Sequence, residues 1–218
     1  MTTTSSSAST NPYRRTLLRQ DRSVNTRRAI IRAAARLWGQ REYTETTVED
    51  ICNAAGVGRS TYYLHFESKE RLLIELALAT ARGVAADVGT AVRGGTVDDE
   101  LRAFMDGLVR RMEGTPRSLA VIVMRQVSIT SVSSRQPAEE DILFDDVLTR
   151  VVRDGQQRGE LRAEVDARDV GEVMAGMTID ALQRWAGGAD ERTLRQSLEL
   201  RFDLALAALR ANRAVTPL

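Results

Sequence analysis

Apolar positions recur along this chain with the spacing of one helical face. Ile30, Ala33, Ala34, Leu37 and Trp38 fall at i, i+3, i+4, i+7 and i+8, which predicts a helix over about 24–41 with one buried stripe. Thr47 followed by Asp50 makes a loose capping box, so a short helix opens at 48 and runs to 54. Gly56 stops it, because glycine takes the left-handed backbone without strain. A third helix follows at 59–65, and Ser68 can cap a fourth from Lys69 to about 93. Gly94-Gly95 breaks the pattern. Thr96 with Asp99 opens a helix over 97–113, and Thr115 before Pro116 opens another to about 132. Ser128–Gln136 is polar and reads as a loop. Pro137 with Glu139, Glu140 and Asp141 opens a helix that ends near Gly159. Asp166 with Asp169 opens the next, to Ala186, and Asp190 caps a last one over 191–211. No alternating run of useful strand length and no fixed-period repeat occurs. The predicted fold is all-α with about nine helices.

Charge changes this picture by dividing the chain. Residues 1–71 hold 12 Lys/Arg against 7 Asp/Glu, whereas the whole chain has a net charge of only +1. The front is therefore basic and the rear acidic, which points the front at a polyanion; a solvated basic face explains the same numbers about equally well. Arg14, Arg15, Arg19 and Arg22 precede the first helix and read as a flexible arm over 1–22, equally a solvated tail or an arm suited to a minor groove. Residues 1–11, rich in Ser and Thr, are expected to be disordered. The single cysteine, Cys52, fits a reducing compartment. No signal-peptide core and no apolar run of membrane-spanning length is present. The expected location is the cytoplasm, with no membrane partner.

Two short helices joined by Gly56-Val57-Gly58 make a helix-turn-helix. Its second helix opens with Arg59, Ser60 and Thr61. Arg bonds guanine in two places and the hydroxyls are adaptable, so these residues suit base edges. Tyr62 and Tyr63 carry hydroxyls that reach phosphate, with one of the pair expected to pack inward. The run Thr47-Val-Glu-Asp-Ile-Cys-Asn-Ala-Ala-Gly-Val-Gly-Arg-Ser-Thr-Tyr-Tyr-Leu-His-Phe-Glu-Ser-Lys-Glu-Arg-Leu72 closely resembles the signature of the tetracycline-repressor (TetR) family, and the likeness extends back over about residues 24–72.

The resemblance implies a homodimer of all-α subunits. A helix-turn-helix domain at 23–70 would read a double-stranded DNA operator. A domain at 71–218 would bind a small effector, with its last two helices forming the dimer interface. Most such proteins are repressors released by the effector; an activator or an effector-independent regulator shares the fold. The same resemblance places Thr47, Tyr63, His65 and Lys69 on phosphates and Arg59, Ser60, Thr61 and Tyr62 on the recognition helix. Three positions depart from the family pattern. Glu42 stands where glycine is usual and implies a different end to the first helix. Gly58 replaces the common serine cap, and Ser60 stands where glycine is frequent.

In the rear domain, Phe104, Met105, Met124, Phe144, Met174 and Met177 would suit a largely apolar effector pocket, although each is also an ordinary core residue. Arg125 could meet an acidic group there if it points inward. In the last helix, Leu194, Leu198, Phe202, Ala205 and Leu209 form one stripe, which Leu200, Leu204 and Ala207 widen. So broad an apolar surface calls for a second subunit. Two other classes fit less well. A sequence-tolerant architectural DNA-binder conflicts with the modest net charge. An enzyme built on Cys52 and His65 lacks a third member, and no metal-ligand spacing or cofactor motif surrounds them. No catalytic residue, metal or cofactor is expected.

Overall fold

The computed structural model describes residues 12–91, 95–133 and 143–210. The expected disorder of 1–11, the polar loop ending at Gln136 and the Pro137 helix start all touch segments outside these residues. The chain divides into two compact units, the first ending at Lys69 and the second running from Glu70. Among the described residues there are nine helices, and the only bridge of strand type is an isolated one between Leu161 and Arg210.

The first unit is built on α1 (Pro12–Trp38), α2 (Val48–Ala55) and α3 (Arg59–His65). The apolar stripe of α1 is buried throughout: Ile30, Ala33, Ala34, Leu37 and Trp38 are all core. Its alanines let α2 approach, and the interior is completed by Ile51, Cys52, Tyr62 and Phe66. Helix α1 departs from expectation at its start. It begins at Pro12, so the backbone of 12–22 is helical rather than a loose arm. Proline is tolerated in the first turn, where its missing N–H would be unsatisfied anyway, and no glycine or proline interrupts 13–38. After Trp38 the chain turns without any left-handed residue, so Glu42 needs no glycine-like conformation.

The second unit contains α4 (Lys69–Ala91, after its first residue), α5 (Val97–Glu113), α6 (Arg117–Ser133), α7 (Phe144–Gln157), α8 (Ala167–Ala186) and α9 (Leu194–Leu209). Helix α8 is central and packs on α6, α7 and α9, while α5 packs on α7 and α9. At Gly171, α8 lies directly against the backbone of α7. A Cβ there would lie 2.6 Å from the Thr149 backbone nitrogen and 2.7 Å from its Cα.

Helix α7 begins at Phe144, where the Asp146 carboxylate accepts the Leu143 N–H at 3.1 Å, while the start expected at Pro137 lies outside the described residues. One helix start is corrected. Helix α9 is capped by Thr193, which forms a capping box with Gln196, and not by Asp190. The Asp190 carboxylate instead accepts the Arg192 N–H at 3.1 Å and the Ser197 hydroxyl at 3.0 Å.

Candidate nucleic-acid interface

Local chemistry fixes α2 and α3. The Thr47 hydroxyl accepts the Asp50 N–H at 3.1 Å, while Asp50 accepts the Thr47 N–H at 2.9 Å and its hydroxyl at 2.8 Å. These bonds hold the Asp50 carboxyl below its ordinary pKa, the Thr47 backbone bond contributing most. At the other end Gly56 takes φ 68°, and its N–H turns back to Asn53 and Cys52. Arg36 of α1 donates to the Ala54 carbonyl at 3.2 Å, placing a cation at the negative end of α2. Gly58 then starts α3 with no side-chain cap.

Helix α3 has two distinct sides. Tyr62 and Phe66 face inward, with ring centroids 5.8 Å apart. Arg59, Ser60, Tyr63 and Leu64 face solvent, and Thr61 and His65 are half-buried. Arg59 lies 3.8 Å from Glu49, and both side chains are about two-thirds exposed. Such a loose pair is worth little and leaves the guanidinium ready to exchange partners. The Tyr63 ring stands edge-on to Tyr62 at 5.3 Å and remains 51% exposed.

Two of the residues expected at DNA have interior duties. Tyr62 is fully buried and donates its hydroxyl to the Ser68 carbonyl at 3.3 Å. It is the packed member of the tyrosine pair, and the expectation of a DNA contact there is corrected. The Lys69 ammonium donates to the carbonyls of Tyr43 at 2.8 Å and Thr46 at 2.9 Å, and sits 3.9 Å from the Tyr43 ring centroid. It therefore ties the start of α4 to the turn that carries Thr47. Arg27 does similar work across the unit: it donates to the His65 carbonyl at 3.3 Å and covers the Phe66 ring at 4.9 Å. Arg27 and Arg36 are bracing residues that charge counting alone did not single out.

Cys52 is buried, and burial pushes its thiol pKa up. A protonated interior thiol is a poor nucleophile, which weakens the enzyme alternative at its first residue. Among the described residues no group of three His, Cys, Asp or Glu could hold a metal ion. No described helix is long and apolar enough to cross a membrane.

In the second unit, Phe104, Met105 and Met174 are buried in one apolar cluster, with Met124 and Phe144 partly buried against it. Phe104 meets Phe144 edge-on at 5.5 Å and Phe202 at 5.8 Å. Met177 is half-buried on α8, and Arg125 is exposed on α6. Val173 of α8 and Leu200 and Leu204 of α9 stand exposed.

Residues 30–76 match the family model described as "Bacterial regulatory proteins, tetR family". The HTH-type transcriptional regulator TtgR of Pseudomonas putida is 26% identical over 209 residues, covering 90% of this chain and 97% of that protein. The fatty acid metabolism regulator protein of Bacillus subtilis is 22% identical over 157 residues, covering 72% and 81%. Among solved structures, the Thermus thermophilus FadR repressor in complex with lauroyl-CoA superposes with a TM-score of 0.71 at 23% identity, over 88% of this chain and 98% of that one. Capped α2, its glycine turn and the exposed row of α3 thus lie within the matched region, so the chain carries the DNA-binding domain of TetR-family regulators, and the relatives it matches over most of its length are transcriptional regulators.

Proposed function

We propose that the protein is a repressor that holds a near-palindromic operator as a homodimer and is released by a small, largely apolar effector. The observation that carries this reading is the two-sided α3, with Tyr62 and Phe66 fixing one side and Arg59 and Ser60 presented on the other. Arg59, Ser60 and Thr61 read base edges in the major groove. Thr47, Tyr63 and His65 meet phosphates and set the register. Lys69 contributes by holding the 43–46 turn, and with it Thr47, in place. Two recognition helices about 34–36 Å apart would fall in successive major grooves.

The dimer forms through α8 and α9. Support comes from Val173, Leu200 and Leu204, which expose apolar side chains on these two helices at 58%, 43% and 63%. The effector contacts Phe104, Met105, Met124, Phe144, Met174 and Met177. Flexible methionines beside aromatic edges adapt to an apolar chain. The lauroyl-CoA complex of the Thermus protein makes acyl-CoA esters the first ligands to try. An effector acts only through its difference in affinity between the DNA-bound and released states.

The test is a footprint on DNA flanking the protein's own gene, repeated with acyl-CoA esters of graded length. A twofold-symmetric protected site, lost on adding one ester, is the expected result. Protection without twofold symmetry would refute the dimeric operator, and protection indifferent to every ester would refute the acyl effector.

A further inference from the structure

Leu64 is the most exposed of the large apolar residues in the described structure, at 81%. A lone surface leucine is ordinary, so exposure alone says little. Its position says more. At about 100° per residue, Leu64 lies about 40° from Ser60 and about 60° from Thr61 around the axis of α3. It stands about 200° from Tyr62, which is buried. The leucine therefore extends the same row as the base-reading hydroxyls, one turn further along. Tyr63, beside it, is also exposed. In the major groove the one apolar group a base pair offers is the 5-methyl of thymine.

We infer that Leu64 is a specificity-determining residue whose branched end packs on a thymine 5-methyl group, next to the bases read by Ser60 and Thr61. The inference rests on the DNA-reading role of α3 proposed above. It adds a contact that no hydrogen-bond donor supplies: discrimination of thymine from cytosine by shape and apolarity. Such a contact excludes water from the leucine and the methyl together, so it strengthens the specific complex while leaving binding to random DNA nearly unchanged.

The test uses the full chain and a duplex selected by it from a random pool. Each thymine of that duplex is replaced singly, in both half-sites, by deoxyuridine, which lacks only the methyl. For the wild type, one thymine per half-site should weaken binding by about three- to fivefold per methyl lost, as expected for one buried methyl group. For Leu64→Ala the same replacement should change nothing, while its melting temperature stays close to that of the wild type because the side chain is 81% exposed. Equal sensitivity of the two proteins at every thymine would overturn the inference, as would a Leu64→Ala loss that is the same on random and selected DNA. If the wild type enriches no duplex from the pool, the DNA-reading assignment of α3 fails first; enrichment with no methyl effect defeats the leucine contact alone.

Discussion

The two units of this chain organise their important side chains in opposite ways. In the first, residues 12–69, the elements are set by neighbours in sequence. Thr47 and Asp50 cap α2, Gly56 ends it, and Arg59 to His65 follow at once. The candidate contacts then point outward from a small core. In the second, the decisive contacts join distant positions. Glu160 accepts the Val97 N–H at 2.8 Å, Gly171 lies against the Thr149 backbone, and Arg210 reaches Asp98 at 2.7 Å. Of its candidate effector residues, Phe104, Met105 and Met174 are buried in one apolar cluster and Met124 and Phe144 pack partly against it. A reading surface can be written in a short local stretch, whereas a ligand-holding interior has to be assembled from many helices.

The sharpest way to break this comparison is to empty the core of the first unit. Tyr62→Ala removes a wholly buried ring from the core of the first unit, and should cost about 3–5 kcal/mol. The chain has two tryptophans, and they fall one in each unit: Trp38, buried in the first, and Trp185, half-buried in the second. Trp38→Phe and Trp185→Phe backgrounds therefore report the units separately. The expected outcome is a large loss in denaturant midpoint for the Trp38 signal and little change for Trp185. Equal loss in both would show that the units do not fold independently. Tyr62→Phe, which removes only the hydroxyl bond to Ser68, should cost about 0.5–1.5 kcal/mol.

The corresponding lesion in the second unit is Gly171→Ala. The new methyl would strike the Thr149 hydroxyl and also its backbone nitrogen and Cα, and because the backbone cannot swing aside as a side chain can, α7 and α8 must part. A loss of about 1–3 kcal/mol is expected, now in the Trp185 signal. An unchanged melt would mean that the α7–α8 contact is looser than the 2.6 Å approach requires.

Arg59→Ala tests the surface. Its side chain is exposed and only loosely paired to Glu49, so folding stability should hold within about 0.5 kcal/mol. Specific binding should weaken by about 1–3 kcal/mol with relaxed base preference. An equal loss on operator and random DNA would reassign Arg59 to phosphate.

How far the sequence could be read follows the same division. The ends of α2 and α3 were legible nearly to the residue, because capping and glycine chemistry act over three or four positions. The start of α1 was not: a run of arginines suggests an arm, yet charge does not oppose a helix, and Pro12 favours its start. Asp190 and Thr193 are both competent caps at similar spacing, and the Ser197 hydroxyl decides between them by occupying Asp190. Tyr62 could have been placed inside from its i+4 spacing to Phe66. The carbonyls that hold Lys69 could not have been foreseen, since they belong to a turn more than 20 residues away. The Gly171–Thr149 approach is likewise invisible until α7 and α8 are side by side. Interior position, by contrast, was well indicated for Phe104 and Met174, because helical periodicity reports burial even where it cannot name partners.

Acid should produce the smallest effect and a different form in each unit. Asp50 is held below the usual carboxylate range by its bonds from Thr47. Its folded pKa lies under the unfolded value of about 3.9, so the capping box stabilises above that value and is lost as pH falls through the lowered one. Among the resolved shifts of the first unit, no carboxyl moves the other way. The second unit holds both signs. Asp87 is lowered by the Arg111 hydrogen bond, Asp99 by the Thr96 bonds and Asp190 by the Arg192 N–H. Burial raises Glu100 and Asp145, whose stabilisation is present at low pH and fades as pH rises through their raised values. Between pH 6 and 3, the Trp38 signal should therefore lose stability in one direction, steepening below about pH 4. The Trp185 signal should pass through partial compensation, the losses at Asp87, Asp99, Asp190 and Glu160 being opposed by Glu100 and Asp145. Asp50→Asn keeps an oxygen to accept the Thr47 N–H but cannot titrate, so it should flatten the Trp38 curve alone. A Trp38 curve unaltered by Asp50→Asn would show that this capping box does not govern the acid response of the first unit.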